Sequence, residues 1–309
     1  MQKIVTLTMN PALDVATRIN SVAPEIKLRC AAPRFYPGGG GINVSRAISF
    51  LGGKSSAVYA AGGHTGAMLT QLLAAEGIAH HPVEIGGITR ESFVVYEESS
   101  SLQYRFTLPG PALSVEEWTA CLETVFNLDP DYFVASGSLP DGVPLEFYGE
   151  ITRYARQHDI RVILDTAGDA LNHALGKGLY LIKPNLRELE IFAGEKIRDE
   201  AHIKSACRRL IAEGLSEVMV VSMGAAGAAL VTAADYLHFH APVVPIASKV
   251  GAGDCMVGGI VVALAEGRSL PDAARFGVAA GSAAVMTPGT LLCRREDAYR
   301  LFDSVTVTA

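Results

Sequence analysis

The chain has no excess of positive charge: its 26 Lys and Arg are outnumbered by 32 Asp and Glu, giving a formal net charge of -6. A protein that binds a nucleic-acid polymer neutralises phosphates with a basic surface, so such a partner is disfavoured. Cysteine is sparse. Cys30, Cys121, Cys207, Cys255 and Cys293 are odd in number and show no C-x-x-C spacing, which fits reduced thiols in a cytoplasm. No H-E-x-x-H occurs, and His80 and His81 read as part of a turn beside Pro82, so a metal held by Cys or His is set aside. Long apolar runs are missing too. The most apolar stretch, near 250–265, is interrupted by Asp254, Gly258 and Gly259, and residues 1–10 lack the basic start and apolar segment of an export signal. The expectation is a cytoplasmic protein with no membrane partner.

Two nucleotide signatures are also absent. Gly53-Lys54-Ser55 ends like a P-loop, but the required first glycine would fall at Ile48, and the segment follows a helical pattern rather than opening one. No G-x-G-x-x-G is found, which leaves a dinucleotide fingerprint or a protein-kinase loop unsupported.

What remains is a chain of 309 residues, 49% apolar and 19% charged, enough to bury a large core. Ile4 to Met9 is a β-branched run, and Ile42, Ala47, Ile48 and Leu51 recur at helical spacing. Short apolar strand candidates at 57–60, 132–135, 162–164, 179–182, 218–221 and 229–232 are separated by helical patterns at 67–75, 115–126, 145–158 and 202–212. That alternation predicts an α/β fold with a mainly parallel sheet covered on both faces. Residues 11–36 and 88–108 break the rhythm with period-two segments such as Ser92-Phe93-Val94-Val95-Tyr96. They predict extra strands in a small discontinuous β lid, inserted into a single domain that spans 1–309. With no linker, charge block or repeat, nothing divides the chain further.

Four clusters carry chemistry. Gly38-Gly39-Gly40-Gly41 precedes a helix bearing Asn43, so amide hydrogens at a helix start can meet a phosphate or sugar; a tight strand-to-helix connection is the plainer reading. Gly251-Ala252-Gly253-Asp254 opens a second, apolar helix, where the dipole favours developing negative charge. Asp254 in its first turn serves either as a cap or as a general base on a substrate hydroxyl. In Lys183-Pro184-Asn185-Leu186-Arg187-Glu188, Asn185 and Glu188 are three apart on a helix start. They offer hard oxygens to the water shell of Mg²⁺, or a cap. Ser222-Met223-Gly224-Ala225-Ala226-Gly227 lies between two strands and is either a nucleotide-facing loop or a hairpin turn.

These four signals in this order resemble the ribokinase-like (PfkB) carbohydrate kinases over residues 4–293, most specifically at Val250-Gly251-Ala252-Gly253-Asp254. Within the family the nearest likeness is to the bacterial minor 6-phosphofructokinase branch, through Lys27-Leu28-Arg29-Cys30, Pro37 to Val44, Ser136-Gly137-Ser138-Leu139-Pro140 and Phe276 to Ala284. The resemblance implies a three-layer α/β/α fold and transfer of the γ-phosphoryl group of ATP to the C1 hydroxyl of fructose 6-phosphate. By position, Asp254 is then the base and Gly251, Ala252 and Gly253 the anion hole. Asp14, Asn43, Gly39 and Gly40 meet the sugar, and Lys27, Arg29, Arg90 and Ser138 its phosphate. Lys183, Asn185 and Glu188 approach the ATP phosphates and Mg²⁺. Ser222, Gly224 and Gly227 line the nucleotide site, and Ala279, Ala280 and Ala283 flank adenine, with apolar helix packing as their plainer role. A K⁺ site is implied at Ser248, Val250, Ala284, Thr287, Gly289 and Leu291, and a homodimer through the lid. Gly40 stands where the 1-phosphofructokinase and tagatose 6-phosphate kinase branches carry Lys. Asn10-Pro11-Ala12-Leu13-Asp14 matches those branches equally well, and Lys249 replaces the hydroxyl residue common before the Val250 motif. Tagatose 6-phosphate or fructose 1-phosphate kinases therefore stay open, and so does a non-catalytic sugar-phosphate or nucleotide sensor.

Overall fold

The computed structural model describes residues 2–166 and 179–309. Runs of consecutive apolar residues become the strands of a ten-stranded sheet, as expected where both faces are covered. In chain order its strands are β1 (Ile4–Thr8), β4 (Ser56–Ala61), β5 (Ala79–Glu84), β8 (Tyr132–Ser136), β9 (Arg161–Asp165), β10 (Leu179–Ile182), β11 (Ser216–Ser222), β12 (Ala228–Val231), β13 (Tyr236–His240) and β14 (Thr306–Thr308). Their spatial order is β14-β13-β12-β11-β10-β9-β8-β1-β4-β5, parallel from β11 through β5 and antiparallel from β11 to β14.

Helices cover both faces. On one side α1 (Gly40–Phe50), α7 (Ala252–Ala265), α8 (Leu270–Val285) and α9 (Arg295–Phe302) enclose a core that includes Ile48, Val134, Leu181, Val220 and Val257. On the other, α3 (Val115–Asn127), α4 (Phe147–Gln157), α5 (Leu186–Ala193) and α6 (Glu200–Ala212) enclose Val58, Phe133, Leu164, Val221 and their neighbours. Helix α2 (Gly63–Ala75) packs Leu69 and Leu73 near Tyr59 at the β4 end of the sheet. The architecture is three-layered α/β/α, as the strand–helix alternation predicts. Among the described residues no helix is long and apolar enough to cross a membrane.

The strands expected in residues 11–36 and 88–108 are β2 (Ala12–Ile19), β3 (Arg34–Gly38), β6 (Arg90–Glu97) and β7 (Leu102–Thr107). They form a second sheet in the order β3-β2-β6-β7, in which β2 and β6 run parallel along eight residue pairs. One sequence expectation is corrected: His80, His81 and Pro82 lie in strand β5, not in a turn. β5 is the outer strand of the sheet, so the missing Pro82 N–H removes no ladder bond on the free side.

Candidate active site

Strand β1 sits between β8, which comes later in the chain, and β4, which follows it, so the winding direction reverses there. In an open α/β sheet, that reversal leaves a crevice at the carboxyl ends of the strands. Thr8, Ser136 and Asp165 end three of those strands, and Lys183 directly follows β10.

The glycine tetrad fills the reversal point. Gly39 has φ +113 and ends β3's approach, and α1 starts at Gly40. A Cβ on Gly40 would come within 2.7 Å of the Gly137 amide nitrogen, so only glycine lets α1 begin against the end of β8. Asn43, one turn into α1, does not cap the helix. Its Nδ2 donates to Asp254 Oδ2 at 3.0 Å, bridging 211 residues of chain. Asp254 does not cap either: α7 begins after Gly251 in the left-handed region (φ 76), with no side-chain cap bond. The carboxylate is thus freed from the role that Asp most often plays at a helix start.

Burial pushes the Asp254 carboxyl up from 3.8 to about 7. Asp165 adds to the rise, the Asn43 hydrogen bond and the Lys183 charge oppose it, and Asp14 adds a smaller increment. A carboxylate near 7 is poised to accept a proton at neutral pH. Lys183 is 6% exposed and its Nζ lies 3.0 Å from Asp165 Oδ1. Burial alone would lower the lysine, but the charge and hydrogen bond of Asp165, joined by Glu188 and Asp254, hold it above its ordinary value. The same Nζ is 3.6 Å from where a Cβ would stand on Gly253. An ammonium, the Gly251–Gly253 backbone and the start of α7 therefore converge on one point, an arrangement suited to phosphoryl oxygens.

On the small sheet, burial pushes Asp14 up to about 6, against the lowering charges of Arg46, Arg105 and Arg90. Arg90 spends its guanidinium on backbone carbonyls: Asn10 O at 3.0 Å, Leu108 O at 3.1 Å and Pro11 O at 3.4 Å. Ser138 Oγ accepts from Asn10 Nδ2 at 3.2 Å. Lys27 and Arg29 make none of these contacts. Both are exposed on the 20–33 connection, and neither hydrogen-bonds or pairs with any described residue.

Beside Lys183, Asn185 and Glu188 form a reciprocal capping box at the start of α5. Asn185 Oδ1 accepts from Glu188 N at 2.9 Å, and Glu188 Oε2 from Asn185 N at 2.8 Å. Ser222 N donates to Pro184 O at 2.9 Å, which brings that segment beside Lys183 and Asn185. Gly224 and Gly227 bound a 3-10 turn (Gly224–Ala226) joining antiparallel β11 and β12, so the hairpin reading holds locally. Ala279, Ala280 and Ala283 are fully buried in the core formed by α7 and α8. Ser248 and Thr287 are buried near the end of α8. Thr287 Oγ1 lies 2.8 Å from Ala284 O and 2.7 Å from Leu292 O, Ser248 Oγ accepts from Val250 N, and Gly289 turns the chain with φ +65. Leu291 is exposed, and Thr290 Oγ1 is buried there without a hydrogen-bond partner.

The profile of pfkB family carbohydrate kinases matches residues 4–297. The chain belongs to that family. The ATP-dependent 6-phosphofructokinase isozyme 2 of Mycobacterium tuberculosis is 44% identical to this pfkB kinase over 303 residues, covering 97% of the chain and 89% of the relative. Crystal structures of phosphofructokinase-2 from Escherichia coli superpose on it closely. The complex with potassium gives a TM-score of 0.95 at 42% identity over 98% of this chain and 99% of that one. The complex with fructose-6-phosphate gives 0.94 at 41% identity over 99% of both. The 1-phosphofructokinase of Rhodobacter capsulatus is 32% identical over 308 residues, covering 99% of the chain and 97% of the relative.

Sequence reasoning missed three charged residues that belong to this pfkB site. Asp165 partners Lys183, Arg46 contacts Asn43, and Arg105 faces Asp14. Asp165 had a signal: it is the polar residue that ends the apolar run Val162-Ile163-Leu164, the position at which an open parallel sheet presents groups to its crevice.

Proposed function

We propose that this pfkB kinase transfers the γ-phosphoryl group of ATP to the C1 hydroxyl of fructose 6-phosphate. The observation that carries the reading is the Asp254 carboxylate at the glycine-led start of α7, held by Asn43 and adjacent to the Lys183–Asp165 pair. Asp254 accepts the C1 hydroxyl proton as that oxygen bonds to the γ-phosphorus, and the bond to the ADP oxygen breaks. The Gly251–Gly253 amides and Lys183 offset charge on the phosphoryl oxygens. Asp14 and Asn43 hold sugar hydroxyls beside the Gly39 and Gly40 backbone. Arg90, Ser138, Lys27 and Arg29 face the sugar phosphate, the last two from the exposed 20–33 connection of the same chain or of a second copy.

The Asn185 amide oxygen and the Glu188 carboxylate are hard oxygen donors and fit Mg²⁺ held through water. When bound, Mg²⁺ supplies charge neutralisation to the ATP phosphates. The neutral oxygens at Ser248, Val250, Ala284, Thr287, Gly289 and Leu291, with the unpartnered Thr290 hydroxyl among them, suit K⁺. The crystallised Escherichia coli relative in complex with potassium supports that reading. A cytoplasmic location and a homodimer through the small sheet, acting as a lid on the crevice, complete it.

The test is ATP turnover with fructose 6-phosphate, tagatose 6-phosphate and fructose 1-phosphate side by side. We predict the highest kcat/KM for fructose 6-phosphate, and a fall in kcat of about 10²–10⁴-fold in Asp254→Asn with binding of the sugar phosphate retained. Higher kcat/KM on another phosphosugar reassigns the substrate. A near wild-type rate in Asp254→Asn rejects the base, and binding without turnover in the wild type makes the protein a sensor.

A further inference from the structure

Arg46 is a cation placed where cations are rarely found. It lies on α1 three residues beyond Asn43, on the same helix face, and is 1% exposed. Its Nε and Nη2 grip Glu76, just past the end of α2, at 2.7 and 2.8 Å. Its remaining terminal nitrogen, Nη1, faces two oxygens: Pro37 O at 3.3 Å, at the end of the small sheet, and Asn43 Oδ1 at 3.5 Å. A pair made only for stability has no need to lie beneath a site residue, and a buried ion pair is often no more stable than apolar side chains of similar size.

The consequence lies in the chemistry of an amide. Asn43 has a donor end and an acceptor end, and a guanidinium carries donors alone. The end of Asn43 beside Arg46 must therefore be its carbonyl, which turns the NH₂ toward Asp254. Reversing the amide would set N–H against N–H at Arg46 and oxygen against oxygen at Asp254. We infer that Arg46, anchored by Glu76, is a positioning residue: it fixes the Asn43 amide and, through it, the orientation of the Asp254 carboxylate. Nη1 on Pro37 O links the same device to the small sheet. The inference rests on the reading of Asp254 as the base. The charged groups around it are Asp165, Lys183 and Asp14 facing Asp254, Glu76 and Asp14 facing Arg46, and Arg90 and Arg105 facing Asp14.

The experiment replaces the pair together, Arg46→Met with Glu76→Met, so that no unpaired charge stays buried. Steady-state kinetics should give a kcat lower by about tenfold or more, with the KM for ATP changed by less than about twofold, a split that general loosening of the fold does not produce. In an Asn43→Ala background the same pair of substitutions should change kcat by less than about twofold, because the relay has already been cut. Arg46→Lys is the second variant. Lysine keeps the charge but loses the fork whose Nε and Nη2 hold Glu76 while Nη1 faces Asn43, so kcat should again fall with the KM for ATP held. Wild-type kcat in either folded variant overturns the inference, as does an equal loss in the Asn43→Ala background. Asp254→Asn is measured alongside. Lost turnover there with normal kcat in the Arg46 variants overturns the positioning role alone, whereas retained turnover there overturns the base and the relay together.

Discussion

Asp254 binds its proton more tightly in the folded chain than in the unfolded one, at about 7 against an ordinary 3.8. Between those values the native state carries more protons, so the free energy of unfolding falls as pH rises from about 4 to about 7 and stays lowered above that. Asp14, raised to about 6, acts in the same direction. Asp254→Asn keeps an acceptor for the Asn43 amide and removes the charge. We predict that it raises Tm by roughly 2 °C or more at pH 8, with the gain shrinking toward zero near pH 4, as read by scanning calorimetry. An equal gain at both pH values would assign the effect to packing. The acidic limb of kcat/KM in the wild type should fall near the same value of about 7. At this scale the sequence made Asp254, Asn43 and Lys183 visible because polar residues stood beside glycines or strand ends, whereas Asp14, inside β2, came only from the family resemblance. Arg46 was hidden for the opposite reason. A lone arginine on an amphipathic helix reads as a solvated face, and its partner Glu76 lies just past the end of a different helix, so no local pattern links the two.

Helix starts at this crevice are of two kinds, and substitutions should separate them. α5 has a full side-chain cap, Asn185 with Glu188, whereas α1 and α7 have glycine at the N-cap and no side-chain cap bond. The uncapped starts leave amide hydrogens for a ligand, and the capped one has its first donors occupied. Glu188→Gln retains an acceptor for the Asn185 amide and removes the charge that would face a hydrated cation. We predict stability within about 0.5 kcal/mol of wild type by urea denaturation and a several-fold rise in the Mg²⁺ concentration giving half-maximal turnover. Lost stability with an unchanged Mg²⁺ requirement would leave Glu188 a capping residue only. Elements were legible where a single pattern dominated: Tyr132–Ser136 is mostly aromatic and apolar, Ser216–Ser222 is rich in valine, and Val115–Asn127 opens on a Ser114/Glu117 capping box. β5 was obscured by Pro82, which reads as a breaker until the strand is known to be an outer one. β13 and β14 were missed because each is short and pairs antiparallel with a neighbour, β13 with β12 and β14 with β13 from 66 or more residues away.

The small sheet gives the whole molecule two unlike surfaces. Phe106, Phe93, Val15 and Phe35 are register partners in a single row across β7, β6, β2 and β3, so they share one face. Asp14, adjacent to Val15, points to the other face, with Ser92, Tyr36 and Thr107 as its register partners. The aromatic row is only partly covered: Phe106 is 53% exposed and Phe35 37%. Apolar rows left open on a sheet commonly meet a second copy, and a two-fold pairing would cover the row in both chains at once. It would also bring a neighbouring 20–33 connection, with the exposed Lys27 and Arg29, toward the crevice. We predict that the protein sediments as a dimer at micromolar concentration and that Phe106→Asp converts it to a folded monomer, as followed by analytical ultracentrifugation and circular dichroism. The monomer should bind fructose 6-phosphate at least about tenfold more weakly while ATP affinity changes little, because a second chain's lysine and arginine would serve only the sugar phosphate. A wild-type monomer with full turnover would remove the dimer from the reading and return Lys27 and Arg29 to ordinary solvated charges. A Phe106→Asp monomer that keeps wild-type affinity for the sugar phosphate would assign its recognition to Arg90 and the glycine loop of one chain.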